Sequence, residues 1–151
     1  MLDDKDRALL RRLQADPSLT VPEVAALAGL TAGQAARRLD RMAADGVIRG
    51  QTAVIDWAAL GYPLQVSLRV TLDKTVPGAF DAFLAAAREV AEVLEIQTFL
   101  GRVDVRLALV ARDLAHYQAL YRTRILSLPH IADIEALMDV AAVKSDESLP
   151  L

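Results

Sequence analysis

The sequence predicts an α+β fold in two parts, with helices in the first fifty residues and a β-α-β-β-α-β succession after them. Two capping boxes predict the helical part: Thr20 and Thr31 each stand three residues before a Glu or Gln. The alternation of apolar and polar side chains in residues 64–72, with the two-residue period of a strand, predicts the sheet.

Local signals mark three helices in the first part. Asp3 or Asp4 can cap the first, whose apolar positions are Ala8, Leu9, Leu10 and Leu13. The second ends at Gly29, a position suited to left-handed backbone, and is expected to turn inward Val24, Leu27 and Ala28. The third ends at Gly46, and its apolar face carries Ala35, Ala36, Leu39 and Met42. Two short capped helices joined by a glycine turn predict a helix-turn-helix.

The start of the third helix offers groups that suit DNA. In a helix-turn-helix this segment enters the major groove, where Gln and Arg read base edges. Two β-rich runs around Gly50 predict a small wing, whose Arg49 can reach a phosphate. The predicted DNA-binding residues are Thr31, Gly33, Gln34, Arg37, Arg38, Arg41 and Arg49. For any single arginine a solvated surface position is the better interpretation, but the combined pattern favours DNA.

The net charge of −3 is only a weak objection to DNA binding, because charge is unevenly distributed. Residues 1–50 hold eight Lys and Arg against seven acids, a net +1. Residues 51–151 hold nine bases and thirteen acids, a net −4. The acidic residues therefore lie mainly outside the predicted DNA-binding part.

The second part is predicted to be a ferredoxin-like unit, an antiparallel sheet with two helices on one face. Its predicted strands are 64–72, 93–100, 105–111 and 131–143. One helix follows Pro77-Gly78 and the other is capped by Asp113. Because the helices cover one sheet face, the other is expected to expose Val, Leu and Ile and to bind a second copy. The predicted domains are 1–50 (winged helix-turn-helix), 51–61 (wing and linker) and 62–151 (ferredoxin-like).

The sequence contains no recognisable catalytic pattern. It lacks a phosphate loop, a nucleophile elbow and any cysteine, and its two histidines are not spaced as a ligand pair. His116 is expected on a helix surface and His130 in a turn. We therefore expect no enzyme activity, catalytic residue, metal or cofactor. Without an apparent signal peptide or spanning segment, the expected location is cytoplasmic.

Five stretches together resemble the Lrp/AsnC family, the feast/famine transcriptional regulators. They are LDDKDRALLRRLQAD, VAALAGLT, RRLDRMAADGVIRGQTAVID, FLGRVDVRL and ILSLPHI. The resemblance covers the whole chain, and its strength lies in their order and spacing. It differs at the start of the third helix, where Thr31-Ala32-Gly33 replaces the Ser-Pro usual in the family. That departure predicts a distinct preference among DNA sites.

The resemblance implies a homodimer that assembles further, often to an octamer, and an amino acid or related small molecule as effector. The effector would lie between dimers beside the loop 101–104, where Gly101 admits the ligand and Asp104 pairs with its α-amino group. The effector-binding residues implied are Leu100, Gly101, Arg102, Val103, Asp104, Leu137 and Met138. For Gly101 and Asp104 the alternative is plain turn formation.

The resulting prediction is a sequence-specific DNA-binding transcriptional regulator whose assembly or DNA binding responds to that effector. Two alternatives remain. A siroheme-decarboxylase-like enzyme shares the two-domain plan, but the hairpin strands here contain no histidine. An effector-independent architectural DNA-binding protein is the other.

Overall fold

The computed structural model describes residues 1–144 and 148–151. The chain forms two compact units: unit 1 comprises Met1–Val54 with Lys144–Leu151, and unit 2 comprises Ile55–Val143. Each unit has its own apolar core. The domain limits inferred from the sequence stay predictions.

Unit 1 contains three helices, α1 (Asp4–Ala15), α2 (Val21–Leu27) and α3 (Ala32–Ala44). Its buried core consists of Leu9, Val24, Ala25, Ala28, Ala35 and Met42. The inward position predicted for Leu27 was wrong, since this side chain is 52% exposed. The buried stripe of α2 runs through Ala25 instead, and Leu27 lies to one side of it on the helical wheel.

The predicted caps and turn of the helix-turn-helix are confirmed. Asp3 caps α1, and Thr20 donates from its N–H and hydroxyl to the Glu23 carboxylate before α2. Gly29 has a φ of +65°, left-handed backbone that glycine adopts without steric cost. The N–H of Leu30 donates to the Ala25 carbonyl at 2.9 Å, which closes the end of α2.

The segment predicted as a wing contains no strand, because residues 47–55 are irregular in the described part of the chain. The N–H groups of Val47 and Ile48 donate instead to the Met42 carbonyl, at 2.8 and 3.1 Å, and finish α3. Val47 and Ile48 therefore cannot donate these N–H groups to a strand partner. The segment leading to Arg49 is therefore irregular and exposed.

Residues 149–151 lie against α1 within unit 1. The Leu149 N–H donates to Gln14 Oε1 at 2.8 Å, and Gln14 Nε2 donates to the Leu149 carbonyl at 3.3 Å. Arg11 Nε donates to the Leu151 carbonyl at 2.7 Å. These residues help to line a groove of about 560 Å³ together with Leu10, Leu13 and residues 47–52.

Unit 2 has the predicted ferredoxin-like order. Its elements are β1 (Leu64–Leu72), α4 (Ala79–Arg88), β2 (Val93–Thr98), β3 (Val105–Ala111), α5 (Leu114–Leu120) with a π-helical turn (Tyr121–Ile125), and β4 (Ile131–Met138). The antiparallel sheet has the order β2-β3-β1-β4. β4 stops well before residue 143, because its neighbour β1 begins at Leu64 and offers no further partner.

The two faces of the sheet differ in chemistry. Apolar side chains of β1 and β3, among them Leu68 and Leu107, pack with Phe83 and Tyr117 of the helices. The prediction of an apolar open face was wrong, because strand alternation sends most polar side chains there. That face carries Gln65, Ser67, Arg69, Thr71, Glu95, Gln97, Arg106, Asp133 and Glu135, with Ala108, Val110 and Leu137 as its apolar members.

The two histidines lie at a helix start and in a turn. His116 lies in the first turn of α5, where its Nδ1 accepts from the Arg112 N–H at 3.1 Å and its side chain is 18% exposed. It is thus more buried than the expected surface position. His130 lies in the turn before β4, as predicted, with a φ of +63°. No helix in the described ranges is long and apolar enough to span a membrane.

Candidate DNA-binding and effector sites

The start of α3 is an exposed and well-capped helix end. Thr31 Oγ1 accepts from the Gln34 N–H at 3.2 Å, and Gln34 Oε1 accepts from the Thr31 N–H at 3.0 Å. Gln34 thus uses its carbonyl oxygen for the cap, while its amide nitrogen takes no part in it. An amide nitrogen is a donor, and the major groove presents acceptors on guanine, adenine and thymine.

Arg37 and Arg49 are exposed cations of unit 1. Arg37 Nε donates at 3.4 Å to the carbonyl of Gly33, one turn earlier. Neither arginine makes an ion pair with an acid among the described residues. Gly33 leaves open space where a side chain would stand, so another backbone can approach α3 closely there.

Arg38 and Arg41 are placed differently from Arg37. Arg38 Nη1 contacts Asp3 Oδ2 at 2.7 Å and Asp6 Oδ1 at 2.8 Å, while Arg41 Nη2 contacts Asp6 Oδ2 at 2.5 Å. Asp6 is fully buried, although it is a carboxylate. These charged groups therefore join the first turn of α1 to the middle of α3.

The two acids of this cluster remain ionised. Burial opposes ionisation of Asp6, but the hydrogen bonds from Arg38 and Asp3 and the charge of Arg41 outweigh it and keep its pKa below the usual value. The Asp6 N–H, followed by Arg38, lowers the pKa of Asp3 from 3.8 to about 2. A shared cleft of about 320 Å³ lies beside these arginines, lined by Leu30, Gln34, Arg37, Arg38 and Arg41.

Asp104 fixes the loop between β2 and β3. Its Oδ2 accepts from the Leu72 N–H at 2.9 Å, and its Oδ1 pairs with Lys74 Nζ at 3.0 Å. The Leu72 N–H, opposed by burial and aided by Lys74, lowers the pKa of Asp104. The carboxylate is 13% exposed, whereas the Lys74 side chain is 67% exposed. The group predicted to bind an α-amino group thus already holds a cation.

The other predicted effector residues fall into two places. Leu100 is fully exposed, and Arg102 accepts through its carbonyl from Thr71 Oγ1 at 3.0 Å. Gly101 has open space around it. Leu137 and Met138 pair with Ser67 and Val66, about four residues further back along β1 than the loop, and they alternate between the two sheet faces. One chain does not bring both sets together.

Four of the residues that organise these sites were not identified from the sequence. Asp3 was predicted only as a cap, and Asp6, Thr71 and Lys74 carried no signal. The spacing of Asp3 and Asp6 does place both on one side of α1, which is a local hint of a shared role. In the described residues no three His, Cys, Asp or Glu side chains are grouped as metal ligands would be.

A capped helix-turn-helix joined to a ferredoxin-like sheet unit defines a two-domain DNA-binding protein. Residues 2–49 match a winged helix-turn-helix DNA-binding family, and residues 65–149 match the Lrp/AsnC ligand binding domain. The chain belongs to the Lrp/AsnC family of transcriptional regulators. It is thus a DNA-binding regulator with a ligand-binding domain.

Individual relatives match over almost the whole chain. The proline dehydrogenase transcriptional activator of Rhodobacter capsulatus is 30% identical over 98% of this chain and 96% of its own. A Neisseria meningitidis transcriptional regulator, solved in complex with L-methionine, has a TM-score of 0.92 at 26% identity, covering 99% of this chain and 97% of its own. An AsnC family regulator from Agrobacterium tumefaciens has a TM-score of 0.89 at 30% identity, with the same coverage of both chains. These relatives give no support to a siroheme decarboxylase or an architectural protein.

Proposed function

We propose that the start of α3 reads operator DNA and that an amino acid bound near the loop 99–104 modulates this binding. The observation that carries the DNA-reading role is the exposed, capped start of α3 with an uncommitted cation at Arg37. Gln34 reads base edges, Gly33 and Thr31 lie close to the DNA backbone, and Arg37 and Arg49 contact phosphates. The expected location is the cytoplasm, where such a regulator meets DNA.

DNA binding can be tested with duplexes selected by the protein from a random library. Arg37→Ala is expected to flatten the dependence of log affinity on log salt by about 0.9 for each phosphate that the variant no longer neutralises. Gln34→Ala is expected to change the ranking of sites by about 1–3 kcal/mol at the base that it reads. Arg88→Ala, on the exposed side of α4 in unit 2, is the charge-matched control. If Arg37→Ala keeps the wild-type salt dependence and Gln34→Ala keeps the wild-type ranking of sites, the DNA-reading role of α3 is contradicted.

We infer that the effector is recognised through Asp104 by exchange of cations. Lys74 Nζ occupies Oδ1 from an exposed position, so the α-ammonium group of an amino acid can replace it without uncovering a buried charge. The Leu72 N–H meanwhile holds Oδ2 in place. Leu100, Gly101, Arg102 and Val103 surround the incoming ligand, and Arg102 suits its carboxylate.

We propose that the effector site is completed between copies of the chain. Leu137 and Met138 lie away from the loop within one chain, so a neighbouring copy must supply them if they line the pocket. A homodimer, assembling to an octamer or another higher oligomer, meets this requirement. The polar open face of the sheet makes such contacts dependent on hydrogen bonds and charge as well as apolar area.

A thermal-shift screen of the twenty amino acids tests the ligand, with L-methionine first because a related regulator is known in complex with it. A hit should also change the sedimentation coefficient. Asp104→Asn keeps an acceptor for the Leu72 N–H but removes the charge, and it should abolish the shift while the protein stays folded. If no amino acid shifts the midpoint, an effector-independent regulator is the better description.

A further inference from the structure

The cluster of Asp3, Asp6, Arg38 and Arg41 is more than a pair of surface ion pairs. Asp6 is fully buried and accepts from Arg38, from Arg41 and, at 3.1 Å, from the Asp3 N–H. The two arginines lie three residues apart on α3 and therefore share one side of that helix. The two acids lie three residues apart at the start of α1 and face them.

These contacts fix the rotation of α3 about its own axis. The buried side of α3, with Ala35 and Met42 in the core, already sets which face of the helix turns inward, but apolar contacts alone tolerate small rotations because they are non-directional. Charged hydrogen bonds between guanidinium and carboxylate groups require particular distances and angles. They set the direction in which Gln34 and Arg37 point, since both lie close to Arg38 on the same helix.

The charges of the cluster also cancel, with two arginines against two ionised acids. Nη1 of Arg38 donates to both acids, and Nη2 of Arg41 donates to Asp6. Contact of these nitrogens with a phosphate would leave the buried Asp6 carboxylate without its partners, which is costly. Arg38 and Arg41 are thus less suited than Arg37 to the phosphate contacts expected of them.

Building on the DNA-binding role proposed for α3, we propose that Asp6 is a positioning residue for operator recognition, acting on DNA through Arg38 and Arg41. The cluster orients the reading face of α3, so it governs discrimination between operator and other DNA more than overall attraction to DNA. Phosphate attraction comes from the cations outside the cluster.

Asp6→Asn tests this proposal because electrostatics and positioning predict opposite results. Removing a negative charge near DNA should strengthen non-specific binding. Loss of positioning should weaken binding to the selected operator by about tenfold, the effect of impairing the readout of one base. The ratio of operator to non-specific affinity should therefore fall. Asp4→Asn, which removes the same charge from an exposed position in the same turn, should leave the ratio unchanged.

Arg38→Lys supplies a second test that does not depend on the folding of Asp6→Asn. A lysine keeps the charge for a phosphate but cannot reproduce the planar guanidinium contacts with both acids. We expect it to lower the specificity ratio while leaving the salt dependence of binding unchanged. Asp6→Glu, which keeps the charge, should recover part of the ratio.

The outcomes separate this proposal from the function on which it rests. If the wild type binds operator selectively and Asp6→Asn matches Asp4→Asn, the positioning role is wrong while the DNA-binding function stands. A flatter salt dependence for Arg38→Ala, equal to that of Arg37→Ala, would also overturn it by making Arg38 a phosphate contact. If the wild type selects no DNA sequence at all, both proposals are wrong.

Discussion

Asp6 of unit 1 and Asp104 of unit 2 are both largely buried carboxylates, but the cations that hold them differ. Asp6 contacts two arginines, Arg38 with 27% and Arg41 with 49% of the side chain exposed. Asp104 contacts one lysine that is 67% exposed. The first arrangement is closed, because both carboxylate oxygens are shared with another secondary-structure element. The second is open on the side of Lys74.

The difference suggests distinct uses for the same chemical group. Replacement of either arginine at Asp6 would disturb a helix junction, so its pairing suits a fixed orientation. Lys74 can leave Asp104 more easily than an arginine can leave Asp6, because the lysine is mostly exposed and the Leu72 N–H still holds the carboxylate. A closed carboxylate therefore suits positioning, and an open one suits exchange with a ligand.

The largest expected effects are losses of stability in core variants, and they test whether Asp6 and Asp104 belong to units that unfold separately. No residue is shared by the two apolar cores. Leu9→Ala should destabilise unit 1 by about 2–5 kcal/mol, and Phe83→Ala should destabilise unit 2 by about 3–5 kcal/mol. Trp57, the chain's single tryptophan, lies in unit 2, so its fluorescence should respond mainly to Phe83→Ala. Equal shifts of that signal in both variants would mean that the units unfold together.

Lowering the pH should destabilise the cluster around Asp6, including Asp3. The pKa values of Asp3 and Asp6 are lowered in the folded chain, so ionisation of these groups stabilises the fold above their unfolded values near pH 4. That contribution should be lost as pH falls toward about 2, the folded value of Asp3. Thermal unfolding followed from pH 5 to pH 2 measures it, and Asp6→Asn should flatten the profile. An unchanged profile in that variant would contradict the pairing.

The smallest expected effect concerns the open carboxylate. Lys74→Ala should change the free energy of unfolding by less than about 1 kcal/mol, because the lysine is mostly exposed. It should nevertheless tighten binding of an amino-acid effector, since the competing cation is removed. Calorimetric titration with the best ligand of the screen measures this. Arg69→Ala, which removes an exposed ion pair from the open sheet face, serves as the control.

Features encoded by neighbouring residues could be predicted from the sequence, and pairings between distant ones could not. The caps at Thr20 and Thr31, the turn at Gly29 and the strand 64–72 depend on spacings of a few residues, and all are confirmed. Arg38 and Asp6 stand 32 residues apart. The helical period places Arg38 on a surface but does not say whether that surface meets water, DNA or α1.

The wing and the open sheet face are two further features that the structure shows differently from the sequence-based prediction. β-rich composition after Gly46 predicts a wing, but the N–H groups of Val47 and Ile48 complete the end of α3 and residues 47–55 form no strand. The sheet was predicted correctly, and the alternation of β1 already indicated the polar side chains of its open face. The general expectation that an uncovered sheet face is apolar does not hold for this sheet. The family resemblance predicts an effector role for the loop 101–104, whereas the pairing of Asp104 with Lys74 is apparent only in the structure.

The contacts of Leu149 with Gln14 and of Leu151 with Arg11 bear on the order in which unit 1 folds. Unit 1 is assembled from two stretches of sequence, with all of unit 2 between them. During synthesis α1, α2 and α3 are made first, and all four sheet strands are made before Leu149. Leu10 and Leu13 therefore lack their groove neighbours Leu149 and Leu151 until unit 2 has been synthesised. The helix-turn-helix therefore gains its contacts with Leu149 and Leu151 only after the residues of the ligand-binding unit have been synthesised.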